Sequence, residues 1–241
     1  MHYFRKLYFP ENKGIRAIAF ALYLAAPFSA NASDAELEQQ LKTAYISADF
    51  GASTYKSKLE LQNDTAYTTH FTLGAYVGAA KDVNIRLVRD MATINFELNT
   101  GSLKPVWSQT AITYRLGYFY FGPVMGSVAM EATKDGLPLF TMTGTGYGGA
   151  TGIMFPASKS TVLHLDVLEC GITQIQEKEQ KDVTFGPRLS ADIGASVDLT
   201  KKVFDFIFGY RYTKHTITYE GTANAELMTT TYLGFAMGFD F

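Results

Sequence analysis

The residues of this chain that could do acyl-transfer chemistry are four serines, two histidines and two aspartates. Ser47, Ser127, Ser190 or Ser196 could serve as nucleophile, His70 or His164 as base, and Asp166 or Asp192 to orient that base. No local motif ties them together: there is no His-x-Ser-Asn run and no Asp-His pair at a strand's outer rim. There is also no CxxC and no His/Cys cluster with metal-ligand spacing, so neither a metal nor a cofactor is implied. Gly144-Thr145-Gly146-Tyr147-Gly148-Gly149 formally reads GxGxxG, but ATGIMFPAS follows where a dinucleotide loop would open a helix. Cys170 is the single cysteine, expected buried or turned to lipid.

The polar candidates share a different regularity, which is their spacing. They fall on alternate positions in segments of about ten residues separated by turn residues, the pattern of strands with two unlike faces. Ten segments carry it, at 43–52, 66–79, 83–99, 107–120, 124–133, 140–155, 161–173, 183–199, 203–219 and 227–241. In the first, Ile46, Ala48 and Phe50 oppose Tyr45, Ser47 and Asp49. In the second, Tyr67, Phe71, Leu73 and Val77 oppose His70, Thr72, Gly74 and Tyr76. The third begins with Val83, Ile85 and Leu87 on one face and ends with Ile94, Phe96 and Leu98 on the other, which predicts a bulge near Arg89–Ala92. The fifth is read with Val128 and Met130 outward, and Ser127 and Glu131 inward. The eighth sets Phe185, Leu189, Ile193 and Val197 against Arg188, Ser190, Asp192, Gly194 and Ser196. The ninth sets Phe204, Phe206, Phe208, Tyr210 and Tyr212 against Asp205, Gly209 and Arg211. Turns are expected at Phe121-Gly122-Pro123 and Pro156-Ala157-Ser158-Lys159.

Composition suits strands of this kind. The 241 residues are 47% hydrophobic and 14% aromatic. Charged residues make up 18%, below the roughly 25% of an average soluble domain. Residues 1–32 read as a cleaved secretory signal: basic Arg5, Lys6, Lys13 and Arg16, an apolar run over residues 17–28, and Ala30-Asn31-Ala32. Without them the chain carries 17 basic and 22 acidic residues, net −5, with no basic stripe for nucleic acid. Residues 33–42 have a Ser33…Glu36 capping-box pattern that predicts a short periplasmic helix ahead of the barrel segment at 43–241.

The last stretch alternates Phe241, Phe239, Met237, Phe235 and Leu233 with Asp240, Gly238, Ala236, Gly234 and Tyr232, and it runs to the final carboxylate. It resembles the closing strand of bacterial outer-membrane β-barrels. The resemblance implies that Phe235, Phe239 and Phe241 act as an assembly signal, and that the partners are outer-membrane lipid, lipopolysaccharide and the assembly machinery. The implied fold is an all-β, up-and-down antiparallel transmembrane barrel, monomeric, of about ten strands, with eight and twelve as alternatives. Short connections after even strands and longer ones after odd strands (53–65, 100–106, 134–139, 174–182, 220–226) place both termini in the periplasm.

A soluble sandwich or lipocalin-like barrel would bury its greasy face instead. The charge on the polar face weighs against that, because it is too high for a dry core. The expected lumen network is Asp49, His70, Arg115, Glu131, His164, Asp166, Arg188, Asp192, Asp205, Arg211 and Asp240, and the expected interface girdle is Trp107, Tyr114, Tyr118, Tyr120, Tyr210 and Tyr212. His164, close to the Pro156 turn, is expected toward the periplasm. The function expected is a non-enzymatic structural or surface-interaction role with a filled, salt-bridged lumen. A narrow porin and a lipid or peptide hydrolase are the alternatives.

Overall fold

The computed structural model describes residues 34–57, 63–78, 81–96, 101–177, 183–200, 203–219 and 222–240. The proposed signal segment and Phe241 lie outside the described residues. A helix, α1 (Asp34–Gln40), precedes ten strands: β1 (Ala44–Ser57), β2 (Asn63–Val77), β3 (Val83–Phe96), β4 (Gly101–Leu116), β5 (Phe119–Lys134), β6 (Leu137–Ser158), β7 (Thr161–Glu177), β8 (Val183–Asp198), β9 (Phe204–Tyr219) and β10 (Thr222–Phe239). Each strand pairs antiparallel with its neighbour in sequence, and β1 pairs with β10, so the sheet closes into a barrel without an edge. No helix among the described residues is long and apolar enough to cross a membrane.

The strands run 14 to 22 residues. A tilted strand needs only about 9–11 to cross a bilayer. The surplus lies at the end away from the termini, where residues expected in long loops continue the ladders. β5 and β6, for example, meet at Asp135-Gly136, where both residues have positive φ (52° and 77°). Asp-Gly in that conformation makes the two-residue turn whose twist matches a hairpin. The expected contrast between short and long connections is therefore absent here. Phe121-Gly122-Pro123 and Pro156 likewise lie inside β5 and β6; the turns fall at Gly117-Tyr118 and Lys159-Ser160.

The two faces exchange character part-way along the barrel. Near the termini the outward residues are apolar and exposed, among them Ile46, Leu73, Leu87, Ile112, Leu116, Phe208, Leu233, Phe235 and Phe239. On β9 this band runs from Phe204 to Tyr212, a height of about 20 Å at ~3.3 Å per residue and ~40° tilt. A continuous exposed belt of that height requires lipid against it. Farther along, the outward positions become polar: Thr54 and Lys56 on β1, Asn95 on β3, Lys104 on β4, Glu131 on β5.

Inside, the order reverses. The half near the termini holds most of the charged residues, whereas the far half holds an apolar core of Ala66, Ile94, Leu103, Trp107, Val124, Val128, Met130, Met142, Cys170, Ile172, Phe185 and Ile217, flanked on β1 and β10 by the buried polar pairs Ser53–Thr230 and Tyr55–Glu226.

This reversal explains two departures from expectation, and a local register shift explains a third. The register of β3 is continuous against both neighbours, with no bulge at Arg89–Ala92. Ile94 has parity opposite to Leu87 because the inside, not the outside, is apolar at its height. For the same reason Val128 and Met130 point inward and Glu131 is exposed outside, the inverse of the expected facing of β5. Phe185 also points inward, because β8 shifts register between Phe185 and Arg188.

Trp107 anchors the dry core, with its ring edge-on to Phe185 at 6.2 Å between centroids. Trp107→Ala is expected to lower the unfolding free energy of the detergent-refolded barrel by about 3–5 kcal/mol, the range for truncating a buried aromatic, as read by urea titration.

Candidate functional site

Below the dry core lies a chamber of about 270 Å³ whose walls carry the polar residues of the inward face. Cross-strand neighbours build it. Asp49 faces His70 across β1 and β2, His70 faces Asp90 across β2 and β3, and Asp192 faces Arg211 across β8 and β9. Residues placed directly opposite on one sheet face have side chains within reach of each other.

Arg211 is the hub. Its Nε donates to Asp192 Oδ2 at 2.7 Å and its Nη2 donates over the intervening β10 to Asp49 Oδ2 at 3.1 Å, while Asp90 lies 3.9 Å from Nη1. The guanidinium also lies over the Tyr232 ring at 4.6 Å, and Tyr232 Oη donates to Asp192 Oδ1 at 2.6 Å. Arg188 donates to Asp90 Oδ2 at 2.8 Å and rests its face on Trp107 at 4.5 Å, so it joins the chamber to the dry core. His70 bonds Asp90 through Nδ1 and Thr72 through Nε2. A second set joins Arg86 to Asp166 at 3.0 Å, with Tyr120 donating to the same carboxylate and the Arg86 guanidinium over its ring.

Four carboxylates thus meet three guanidinium groups and two imidazoles in a confined space. Each charge has a partner, as burial demands.

The terminal mouth is stoppered by α1. Leu37 and Leu41 are buried against Tyr76, Tyr45, Tyr118, Met154 and Val162. Arg115 fixes the helix through Glu38 at 3.1 Å, Lys42 reaches Asp205 at 3.5 Å, and Gln40 Nε2 donates to the Ser158 carbonyl. Asp240 Oδ1 accepts from the Thr43 amide and hydroxyl, both at 2.9 Å, and from Lys81 Nζ at 3.1 Å. Partial burial pushes the Asp240 carboxyl upward, but the Thr43 amide and Lys81 outweigh it and bring it down to about 2.

The expected lumen residues therefore separate. Asp49, His70, His164, Asp166, Arg188, Asp192 and Arg211 belong to the chamber and its roof, and Arg115 and Asp205 hold the stopper. Glu131 is outside the barrel and Asp240 sits at the terminal rim, because the polar face is outward at the height of Glu131 and β10 has ended before Asp240.

Among the girdle residues, Tyr114 and Tyr210 are exposed in the apolar belt and Tyr212 is half-buried at its upper margin. Trp107 and Tyr120 instead point inward and are buried, and Tyr118 packs at the turn beside α1. Phe235 and Phe239 face outward.

Arg86, Asp90, Tyr45 and Tyr232 are further members of the inward set. Arg86 and Asp90 continue one parity of β3, and only the supposed bulge hid Asp90.

His164 contacts Asp192 at 3.3 Å and Tyr232 at 3.4 Å. Among the described residues neither His70 nor His164 is hydrogen-bonded to a serine, and Ser127 faces outward.

The chain matches no protein-family model and no curated protein. Among solved structures it is similar in fold to surface protein A of Neisseria (13% identity, 82% of this chain and 97% of that one, TM-score 0.40). It is also similar to the β domain of the Bordetella autotransporter BrkA (11%, 82% and 100%, 0.46) and to the Escherichia coli outer membrane protease OmpT (7%, 81% and 97%, 0.45). At these values the likeness extends to general architecture and no further.

Two outcomes test this geometry. Arg211→Met leaves Asp49 and Asp192 without their shared cation and is expected to destabilise the barrel by about 3–5 kcal/mol in urea titration. Because Asp240 is held below its ordinary value of 3.8, its contribution is complete above about pH 4 and is lost as pH falls toward 2. Hydrogen exchange of the Thr43 amide should accelerate, relative to intrinsic rates, across that window and not between pH 5 and 8.

Proposed function

We propose that this chain is an outer-membrane barrel with a closed lumen, serving a non-enzymatic structural or surface-interaction role rather than transport or hydrolysis. The observation that carries the reading is the dry core around Trp107, Ile94, Val128 and Met130, which lies across the only inner route from the chamber to the far end of a closed sheet. Conduction needs a wetted path lined by polar groups. Here the chamber's charged groups are paired with one another, and above them the apolar core packs beside the bonded pairs Ser53–Thr230 and Tyr55–Glu226.

The apolar belt supports placement in a bilayer. The far half, polar outside and apolar inside, supports a rigid stem that lifts the strand connections clear of the lipid. With the termini in the periplasm, as the likeness of the last strand to outer-membrane closing strands implies, that stem faces the exterior, and its polar outer strand faces and the Asp135-Gly136 turn are surface available to a partner. A serine hydrolase would require a serine on His70 or His164, and both imidazoles are engaged by other groups.

Planar-bilayer recording tests the reading. The refolded protein is expected to give no steady openings, and the combined Trp107→Ala, Met130→Ala variant is expected to give small ones. Steady openings from the unaltered chain would overturn the closed lumen in favour of a narrow channel.

A further inference from the structure

Arg89 is a charge on the wrong side of the wall. It projects outward from β3 and is exposed, with Leu87 two residues below it in the apolar belt and Phe71 directly opposite on β2. Among the described residues no carboxylate pairs with it. An unpaired guanidinium here is costly beside hydrocarbon unless something anionic meets it.

Its surroundings are shaped to receive such a group. The register sets Arg89 beside Ser108 of β4 and Ser108 beside Ser127 of β5, a row of one cation and two hydroxyls across three strands. One step nearer the termini the row changes to Leu73, Leu87, Thr110 and Met125. The small side chains between the large ones leave an outer groove of about 570 Å³, and Arg89 forms part of its polar margin.

That margin lies just short of the height at which the outward residues pass from Met91, Val106 and Ala129 to Thr93, Lys104 and Glu131, from apolar to polar. It is therefore the headgroup level of the leaflet farther from the termini.

We infer that this groove is a binding site for a phosphate-bearing lipid of that leaflet, with the phosphate on Arg89 and the Ser108 and Ser127 hydroxyls, and an acyl chain lying along Leu87 and Leu73. The charge selects the phosphate, because guanidinium pairs with phosphate oxygens through two parallel hydrogen bonds. The apolar row selects a lipid over a free ion. The inference rests on the outer-membrane placement proposed above, but not on the closed lumen.

Native mass spectrometry of the barrel refolded in neutral detergent tests it, with three probes: diphosphoryl lipid A, its phosphate-free counterpart, and inorganic phosphate. The unaltered chain is expected to retain diphosphoryl lipid A about tenfold better than the phosphate-free form. Arg89→Gln is expected to abolish that preference, and Arg89→Lys to restore part of it. Ser127→Phe, which fills the groove while sparing the charge, is expected to weaken retention too. Equal retention by Arg89→Gln, indifference to the phosphates, or effective competition by inorganic phosphate alone would each overturn the site. Conductance recorded on the same sample keeps the two readings separable: an open channel with Arg89-dependent retention defeats only the closed lumen, and a silent barrel without that dependence defeats only the groove.

Discussion

Lipid offers no hydrogen bonds and water offers many, and this barrel passes from one solvent to the other along its own length. A strand has two faces, so where one must be greasy the other is free to be polar, and where the outside becomes wet the inside can become dry. The outer face changes near Arg89, Ser108 and Tyr212, and the inner face changes between Arg211 and Trp107. Hydrophobic burial inside the far half and lipid contact outside the near half are therefore successive expressions of one alternation. Arg188 marks the inner boundary, with one edge on Asp90 and its flat face on Trp107.

The consequence for the interior is a chamber with a roof and a floor. The roof is packing and the floor is α1, held by Leu37 and Leu41 and tethered by Arg115 and Lys42. Between them the carboxylates and guanidinium groups neutralise each other in networks centred on Arg211 and Asp166. Such groups are expensive to desolvate singly and tolerable only as a set. The arrangement fixes strand positions across the lumen, since Arg188 on β8 is paired with Asp90 on β3, on the opposite side of the ring.

Much of this was legible in the chain. Phe204 to Tyr212 against Asp205 and Arg211 gave the facing of β9, and Leu233 to Phe239 gave that of β10, because in the near half charge and grease fall on opposite parities. The same rule failed for Glu131, Val128 and Ile94, where a local window reports alternation but not which side is wet. Only the height along the axis decides that, and height comes from register with distant strands. Trp107 and Tyr120 were misplaced for a related reason: an aromatic on a strand fits an interface as well as a core, and the choice lies with neighbours such as Phe185 and Asp166. The stopper contacts of α1 were illegible because they depend on ring closure bringing Ser158, Asp205 and Arg115 to the same mouth.

Thr43 and Asp240, bonded at the seam, are 197 positions apart in the chain. Every other pairing in the wall joins consecutive strands and can form as hairpins accumulate, but β1 to β10 can be sealed only once the whole sheet exists. Until then two long unpaired borders remain available to any other extended backbone. The lock between Thr43, Lys81 and Asp240 is therefore a contact available only to a finished ring.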